Sequence, residues 1–204
     1  MTAEEMADTW ETWNKGELSS YLVEITARIL RKADEMTGKP LVDVILDVAK
    51  QKGTGRWTSM SALALGVPAP TITEAVFART MSLQKEERLG LSKRYRDLAF
   101  GGTEVDRPAV LEDLRQALYA SKICAYAQGF NLLEEAGKVY GWDLQMGRIA
   151  KIWRSGCIIR ARFLDTVSEI FEKENGMTNL LASGYFSQVL YGARAGWGRI
   201  ISLA

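Results

Sequence analysis

A short basic turn within residues 47–58 carries the side chains of this sequence that are best suited to chemistry. It holds a Gly-Thr-Gly triplet at 53–55 and three nearby cations, Lys50, Lys52 and Arg56. Two glycines two apart permit backbone conformations closed to other residues and expose N–H groups. A helix that starts just after the turn would aim its positive dipole end at the same place. The pattern predicts an anion site; the alternative interpretation is a plain turn between two helices whose cations face water.

Length and composition place the chain among ordinary globular proteins. Its 204 residues are 47% hydrophobic and 25% charged, enough for one substantial core or two modest ones. The formal net charge is +1, from 26 Lys+Arg against 25 Asp+Glu. Such a balance gives no overall field to attract nucleic acid or an acidic membrane, so we expect neither as a partner. No uninterrupted apolar run reaches the length that spans a bilayer.

The absence of histidine from the sequence narrows the possible chemistry. It removes histidine acid/base catalysis, Ser-His and Cys-His nucleophile pairs and most transition-metal sites. The two cysteines, Cys124 and Cys157, lie in apolar helical patterns without metal-ligand spacing. We therefore expect no metal site, and we interpret the cysteines as buried free thiols of a cytoplasmic protein.

Apolar periodicity predicts an all-α fold built around one long central helix, as a single domain over residues 1–204. The first helix should start at a capping box formed by Thr2 and Glu5. Predicted helices cover 2–14, 18–37, 41–50, 57–65, 71–83, 106–140, 144–153, 157–171 and 180 onwards. The charged run 84–88 is interpreted as a solvated helical face, and Pro70 as lying outside a helix. Because no β-alternation persists, the glycine turn cannot be the dinucleotide fingerprint, which needs a preceding strand.

Several blocks of the sequence resemble the helical domain of decarboxylating 6-phosphogluconate dehydrogenases. Among them are Gln51-Lys-Gly-Thr-Gly-Arg-Trp-Thr58, Ala75-Val-Phe-Ala-Arg79 and Gly156-Cys-Ile-Ile-Arg160, with further blocks at 14–22, 41–47, 61–68 and 120–130. The resemblance implies an all-helical domain that follows an N-terminal dinucleotide-binding domain and builds a dimer interface. The complete family enzyme oxidises 6-phosphogluconate with NADP and decarboxylates the product to ribulose 5-phosphate, a step of the pentose phosphate pathway.

The resemblance also assigns roles to individual positions. The family's substrate-phosphate ligands fall on Lys52, Thr54 and Arg79, and Gly53 and Gly55 would let the backbone approach the phosphate. Ile158 resembles a position that lines the family's pocket, whereas its periodicity is that of a core residue. Arg154 and Arg160 are interpreted as structural or interface cations. The sequence departs from the family at Arg56, where lysine is frequent, and at Ala64, where many members have a carboxylate.

Other family features have no counterpart in the sequence. The general base lysine and general acid glutamate lie upstream of the matched region, and the C-terminal tail that reaches the partner subunit is also missing. We therefore expect no catalytic residue in this chain, an NADP site mainly in another domain, and the phosphate end of 6-phosphogluconate as the ligand. The chain would then be an excised or truncated fragment of a larger enzyme, or a stand-alone paralogue of its helical domain.

Two further expectations concern association. A homodimer should form through the long helix and the C-terminal helices, with Tyr185, Phe186 and Trp197 in apolar surface. The alternative function is a non-catalytic helical interaction module that has kept the fold and lost the chemistry.

Overall fold

The computed structural model describes residues 1–98, 105–174 and 176–204, and the backbone in these ranges is predominantly helical. The helices are α1 (Ala3–Trp13), α2 (Tyr21–Arg31), α3 (Leu41–Val44), α4 (Thr54–Ala64), α5 (Pro70–Ser82), α6 (Lys85–Arg94), α7 (Arg107–Tyr140), α8 (Met146–Ile152), α9 (Phe163–Lys173) and α10 (Gly184–Leu203). Extended pairing within the described ranges is limited to two isolated bridges, Ser20 with Ala161 and Ala33 with Pro40. The predicted all-α class is confirmed.

The chain divides into two compact units, the first formed by Met1–Leu46 and Ala136–Ser187. Helix α1 begins at the predicted capping box, in which Thr2 and Glu5 satisfy each other's backbone N–H. Largely apolar side chains fill the core of this unit: Leu18, Val23, Ala27, Phe163, Leu164, Val167, Leu180 and Phe186. The amphipathic helices α2 and α9 thus bury the faces that their periodicity predicts.

Phe186 lies at the centre of this first core. It is 0% exposed, and its ring centroid is 5.2 Å from that of Phe163 and 5.1 Å from that of Tyr185. Its N–H donates to the hydroxyl of Ser183, which fixes the start of α10 over the core. The expectation that Phe186 lies in apolar surface is therefore wrong, whereas Tyr185 is exposed as expected.

Arginines join the segments that precede α2 and α9. The N–H of Tyr21 donates to the carbonyl of Arg160, and the N–H of Arg162 to the carbonyl of Ser19, each over 3.1 Å. The guanidinium of Arg160 lies 3.7 Å from the ring centroid of Tyr21, within the range of a cation–π contact. Arg154 donates to Asp165 over 2.6 Å. Both Arg154 and Arg160 thus have structural contacts.

The second unit comprises Asp47–Glu135 and Gln188–Ala204. The 34-residue α7 lies mainly within it and agrees with the helix predicted over 106–140. Its buried residues include Ala117, Tyr119, Ala120, Ile123, Ala127 and Phe130. These side chains form part of the core of the second unit.

Helices α7 and α10 meet at Gly196 with no spare room. A Cβ at Gly196 would lie 2.6 Å from Oε1 of Gln116, 2.8 Å from Oδ1 of Asp113 and 3.3 Å from Cα of Asp113, so a larger residue would require both side chains to shift. Arg199, one turn further, donates to both carboxylate oxygens of Asp113 over 2.7 and 2.6 Å. These hydrogen bonds lower the pKa of Asp113, whose side chain is only 7% exposed. The pair stays ionised at neutral pH and ties α10 to α7.

Several predicted boundaries differ from the structure. The third helix ends at Val44 instead of continuing to Lys50, because Ile45 is already extended. Pro70 is the first residue of α5, a position where its missing N–H costs nothing, so its placement outside a helix was wrong. Helix α9 starts at Phe163 rather than at position 157, because turns follow Gly156 with its φ of +66°. The glycine pair at 101–102 also predicts an irregular stretch, which lies outside the described residues.

Cys124 and Cys157 are free thiols, half-buried rather than fully buried, and burial raises the pKa of Cys124. None of the described helices is long and apolar enough to cross a membrane. Nor do the described residues contain a group of three or more His, Cys, Asp or Glu side chains that could hold a metal ion.

Candidate functional site

The glycine turn leads directly into a helix, as the anion-site interpretation requires. Gly53 is the N-cap residue of α4, with a left-handed φ of +103°, a conformation that favours glycine. Its carbonyl accepts from the N–H of Trp57 over 2.9 Å. Since glycine has no side chain to accept from the following N–H groups, the positive end of α4 faces the turn without a side-chain cap.

Gly55 serves a different purpose from Gly53. Its φ lies outside the left-handed region. A Cβ at this position would lie 2.9 Å from Cγ2 of Val76, closer than real Cβ atoms come. The absence of a side chain therefore lets the first turn of α4 approach α5. The close approach of Gly53 and Gly55 to an anion stays a prediction, and the packing of α4 against α5 gives Gly55 an additional role.

Contacts along α4 and α5 establish that the two helices run antiparallel. Near the middle of α4, the hydroxyl of Thr73 donates to that of Ser59 over 3.1 Å. One turn back along α4, Gly55 meets Val76. Beyond the start of α4, the N–H of Ala49 donates to the hydroxyl of Ser82 over 3.0 Å.

These contacts bracket the positions of Lys52 and Arg79. Lys52 lies midway between Ala49 and Gly55 in sequence, and Arg79 lies midway between Ser82 and Val76. The two cations are thus bracketed by observed contacts on both sides, although 27 residues separate them in sequence. Arg79 is also one turn from Val76, on the face of α5 that packs towards α4.

The start of α5 is fixed by the long helix. Gln128 of α7 accepts from the N–H of Thr71 over 3.0 Å and donates to its hydroxyl over 2.9 Å. A small apolar cluster lies below this contact: Ala62, Ala69 and Leu132, with Leu65, Val67 and Ile72 against them. Both helices of the candidate site are therefore anchored to α7.

The side chains of the predicted phosphate ligands are accessible to solvent. Lys52, Thr54 and Arg79 are all exposed. Lys50 and Arg56 are exposed too and add positive charge around the same turn. The register brings the backbone positions together, and convergence of the three side chains on one anion stays a prediction.

Ile158 is distant in sequence from Lys52, Thr54 and Arg79 and belongs to the other compact unit. It belongs to the first unit and is 61% exposed, so its interpretation as a core residue is wrong. Its role as a pocket-lining residue stays a prediction.

Two cations of α6 bind the start of the basic turn, and the sequence patterns did not predict this contact. Asp47 accepts from Lys85, and from Arg88 over 3.2 Å. The run 84–88 is thus not simply a solvated face, because two of its cations are half-buried and paired. These partners lie 38 and 41 residues from Asp47, too far apart for local spacing to reveal them.

Comparison with known proteins gives consistent matches over the whole chain. The family model of the 6-phosphogluconate dehydrogenase C-terminal domain matches residues 1–204. The NADP(+)-dependent decarboxylating 6-phosphogluconate dehydrogenase of Bacillus subtilis is 50% identical over 204 residues, covering 100% of this chain and 44% of that protein. The NAD(+)-dependent enzyme of the same organism is 48% identical over 198 residues, covering 97% and 42%.

A solved structure matches equally well. Plasmodium falciparum 6-phosphogluconate dehydrogenase, solved in its apo form, with its cofactor NADP+ and with its substrate 6-phosphogluconate, has a TM-score of 0.94 at 37% identity. The match covers 100% of this chain and 44% of that one. The chain therefore spans less than half the length of these relatives.

Proposed function

We propose that this chain, which belongs to the family of 6-phosphogluconate dehydrogenase C-terminal domains, binds the phosphate end of 6-phosphogluconate within a longer, NADP-dependent enzyme. That enzyme would oxidise 6-phosphogluconate and decarboxylate it to ribulose 5-phosphate. The relatives named above are decarboxylating 6-phosphogluconate dehydrogenases about twice as long as this chain. The activity, the substrate and the larger protein are accordingly parts of the proposal.

One observation carries the assignment of the phosphate site. The contacts Ala49–Ser82 and Gly55–Val76 bracket Lys52 on one segment of the antiparallel pair and Arg79 on the other, and α4 has no side-chain cap at its N-terminus. Phosphate favours charge-assisted donors, which lysine supplies as a compact ammonium and arginine as a planar fork. Backbone N–H groups and the hydroxyl of Thr54 would complete the shell. These observations support a phosphate site formed by Lys52, Thr54 and Arg79.

The described residues do not fit the nicotinamide cofactor. The glycine turn follows the irregular segment 45–53, whereas a dinucleotide site needs a strand before the turn. We therefore propose that NADP binds mainly outside this chain, and we assign no catalytic residue to it. Ile158, exposed in the first unit, is proposed to line the substrate pocket. The two free cysteines support a cytoplasmic location.

Titration calorimetry with 6-phosphogluconate and with gluconate tests the phosphate assignment. The chain should bind 6-phosphogluconate weakly and gluconate not measurably, because only the former has the phosphate. Lys52→Ala and Arg79→Ala should each remove charge-assisted bonds of about 1.5–3 kcal/mol, weakening binding by about 10–150-fold. Lys93→Ala, which removes the same charge from the exposed last turn of α6, is the control.

Two outcomes would contradict the proposal. Equal affinity for gluconate would mean that the phosphate is not the group recognised. An equal loss in Lys93→Ala would mean that general electrostatics, rather than this site, holds the anion. The alternative function, a helical interaction module, predicts no binding of either compound.

We also propose that the chain forms a homodimer. Exposed large apolar side chains on α7 and α10 support the expected contact surface: Leu114, Leu118, Ile201 and Leu203. Apolar patches of this kind usually mark interaction sites. Sedimentation at micromolar concentration should give a dimer or a larger species, and a clean monomer would refute self-association of the chain alone.

A further inference from the structure

The irregular segment in front of α4 is held through Asp47. The carboxylate of Asp47 accepts from Lys85, and from Arg88 over 3.2 Å. Arg88 also donates to the backbone carbonyl of Asp47 over 3.4 Å. Both the side chain and the backbone of this residue are therefore tied to the first turns of α6.

Ser82, the last residue of α5, makes the complementary set of bonds. Its hydroxyl accepts from the N–H of Ala49 over 3.0 Å and donates to the carbonyl of Arg79 over 2.7 Å. Its own carbonyl accepts from Arg88 over 3.2 Å. Arg88 thus hydrogen-bonds to the segment before α4 and to the end of α5. Ser82 links Ala49 to Arg79, the proposed phosphate ligand on α5.

These bonds join the two short segments that carry the proposed phosphate ligands. Asp47 precedes Lys52 by five residues, and Ser82 follows Arg79 by three. We propose that Asp47, Ser82 and Arg88 form a clamp that fixes the spacing between Lys52 and Arg79 and so sets how tightly the site binds a phosphate group. This inference rests on the proposed function.

The clamp acts as a network rather than through any single strong bond. Asp47 is 58% exposed, and Lys85 and Arg88 are 34% and 37% exposed, so salt screens each ion pair. The hydrogen bonds from Lys85 and then Arg88 hold the pKa of Asp47 below its ordinary value, which keeps the carboxylate charged at neutral pH. Its geometric role is to hold the irregular segment before α4 against the last turn of α5.

The direction in which phosphate affinity changes distinguishes a positioning role of Asp47 from a purely electrostatic one. Asp47→Asn removes a negative charge near a proposed anion site and frees two cations. If Asp47 acted only through its charge, phosphate binding would strengthen in this variant. If Asp47 positions Lys52, binding weakens. The two explanations therefore predict opposite changes.

The experiment measures 6-phosphogluconate and inorganic phosphate binding by calorimetry in the full chain. We expect Asp47→Asn and Ser82→Ala to weaken both by about tenfold, Ser82→Thr to restore the hydroxyl and the affinity, and Asp43→Asn to change neither. In the Lys52→Ala background, Asp47→Asn should have no further effect, since its influence passes through Lys52.

Amide hydrogen exchange provides a second readout that needs no ligand. The N–H of Ala49 should exchange at least about tenfold faster in Asp47→Asn and in Ser82→Ala, with exchange in α7 unchanged. Unchanged exchange at Ala49 would overturn the clamp.

The binding outcomes distinguish the two proposals. Binding that is lost in Lys52→Ala yet unchanged or stronger in Asp47→Asn would overturn the clamp alone. A wild-type chain that binds neither 6-phosphogluconate nor phosphate would overturn the proposed function, and with it the role assigned to the clamp.

Discussion

Purified alone, this chain is expected to form no NADPH when it is mixed with NADP and 6-phosphogluconate. Hydride transfer requires the nicotinamide to be held against the substrate carbon, and such positioning can contribute about 7–11 kcal/mol towards lowering the barrier. The described residues include no strand-turn-helix unit to hold a dinucleotide. The sequence also contains no histidine, and we assign its best-placed lysine, Lys52, to the phosphate rather than to the reacting carbon.

The measurement is NADPH absorbance followed over time, with the full-length NADP(+)-dependent enzyme of Bacillus subtilis assayed in parallel. Positioned acid/base groups typically add about 10²–10⁴-fold to a rate, so even one misassigned residue would be visible. Steady NADPH formation by this chain that disappears in Lys52→Ala would show that the catalytic machinery lies here after all.

The largest stability effect is expected at Phe186. Replacing this fully buried ring with alanine removes its contacts with Phe163 and leaves a cavity in the first unit. Core Phe→Ala substitutions typically lower the free energy of unfolding by about 3–5 kcal/mol. Denaturant unfolding followed by circular dichroism should therefore show a large fall in the midpoint.

Tyr191→Ala provides the matched control for Phe186→Ala. Tyr191 lies on the same helix, α10, and is 71% exposed, so its loss should change stability by no more than about 0.5 kcal/mol. Similar midpoints for the two variants would contradict the assignment of Phe186 to the core. A fall in the unfolding midpoint for Tyr191→Ala alone would instead place the packed aromatic residue of α10 at position 191.

Local sequence patterns were sufficient to predict the structural features that depend only on neighbouring residues. Thr2 and Glu5 define the start of α1 because a capping box is complete within four residues. Gly53 was identified as the turn residue before a helix, and the structure gives it the left-handed φ that such a turn uses. Arg107–Tyr140 was recognisable as one long helix from its apolar periodicity alone.

Features that depend on distant residues could not be predicted in this way. The segment after Val44 has helical apolar spacing, yet its bonds to Ser82 and α6 hold it in an irregular conformation. Phe186 was assigned to the surface because nothing near it in sequence reveals Phe163 as its neighbour. The contacts Gly55–Val76 and Ala49–Ser82, which bracket Lys52 and Arg79, likewise appear only in the packed structure.

The contact between Gly55 and Val76 couples the sizes of two side chains that lie on different helices. A methyl group at position 55 would occupy volume that a methyl of Val76 now fills. A larger residue at position 55 would therefore fit only beside a smaller residue at position 76. Without that compensation it would push α4 away from α5, and the geometry of the proposed phosphate site would change although neither Lys52 nor Arg79 had been touched.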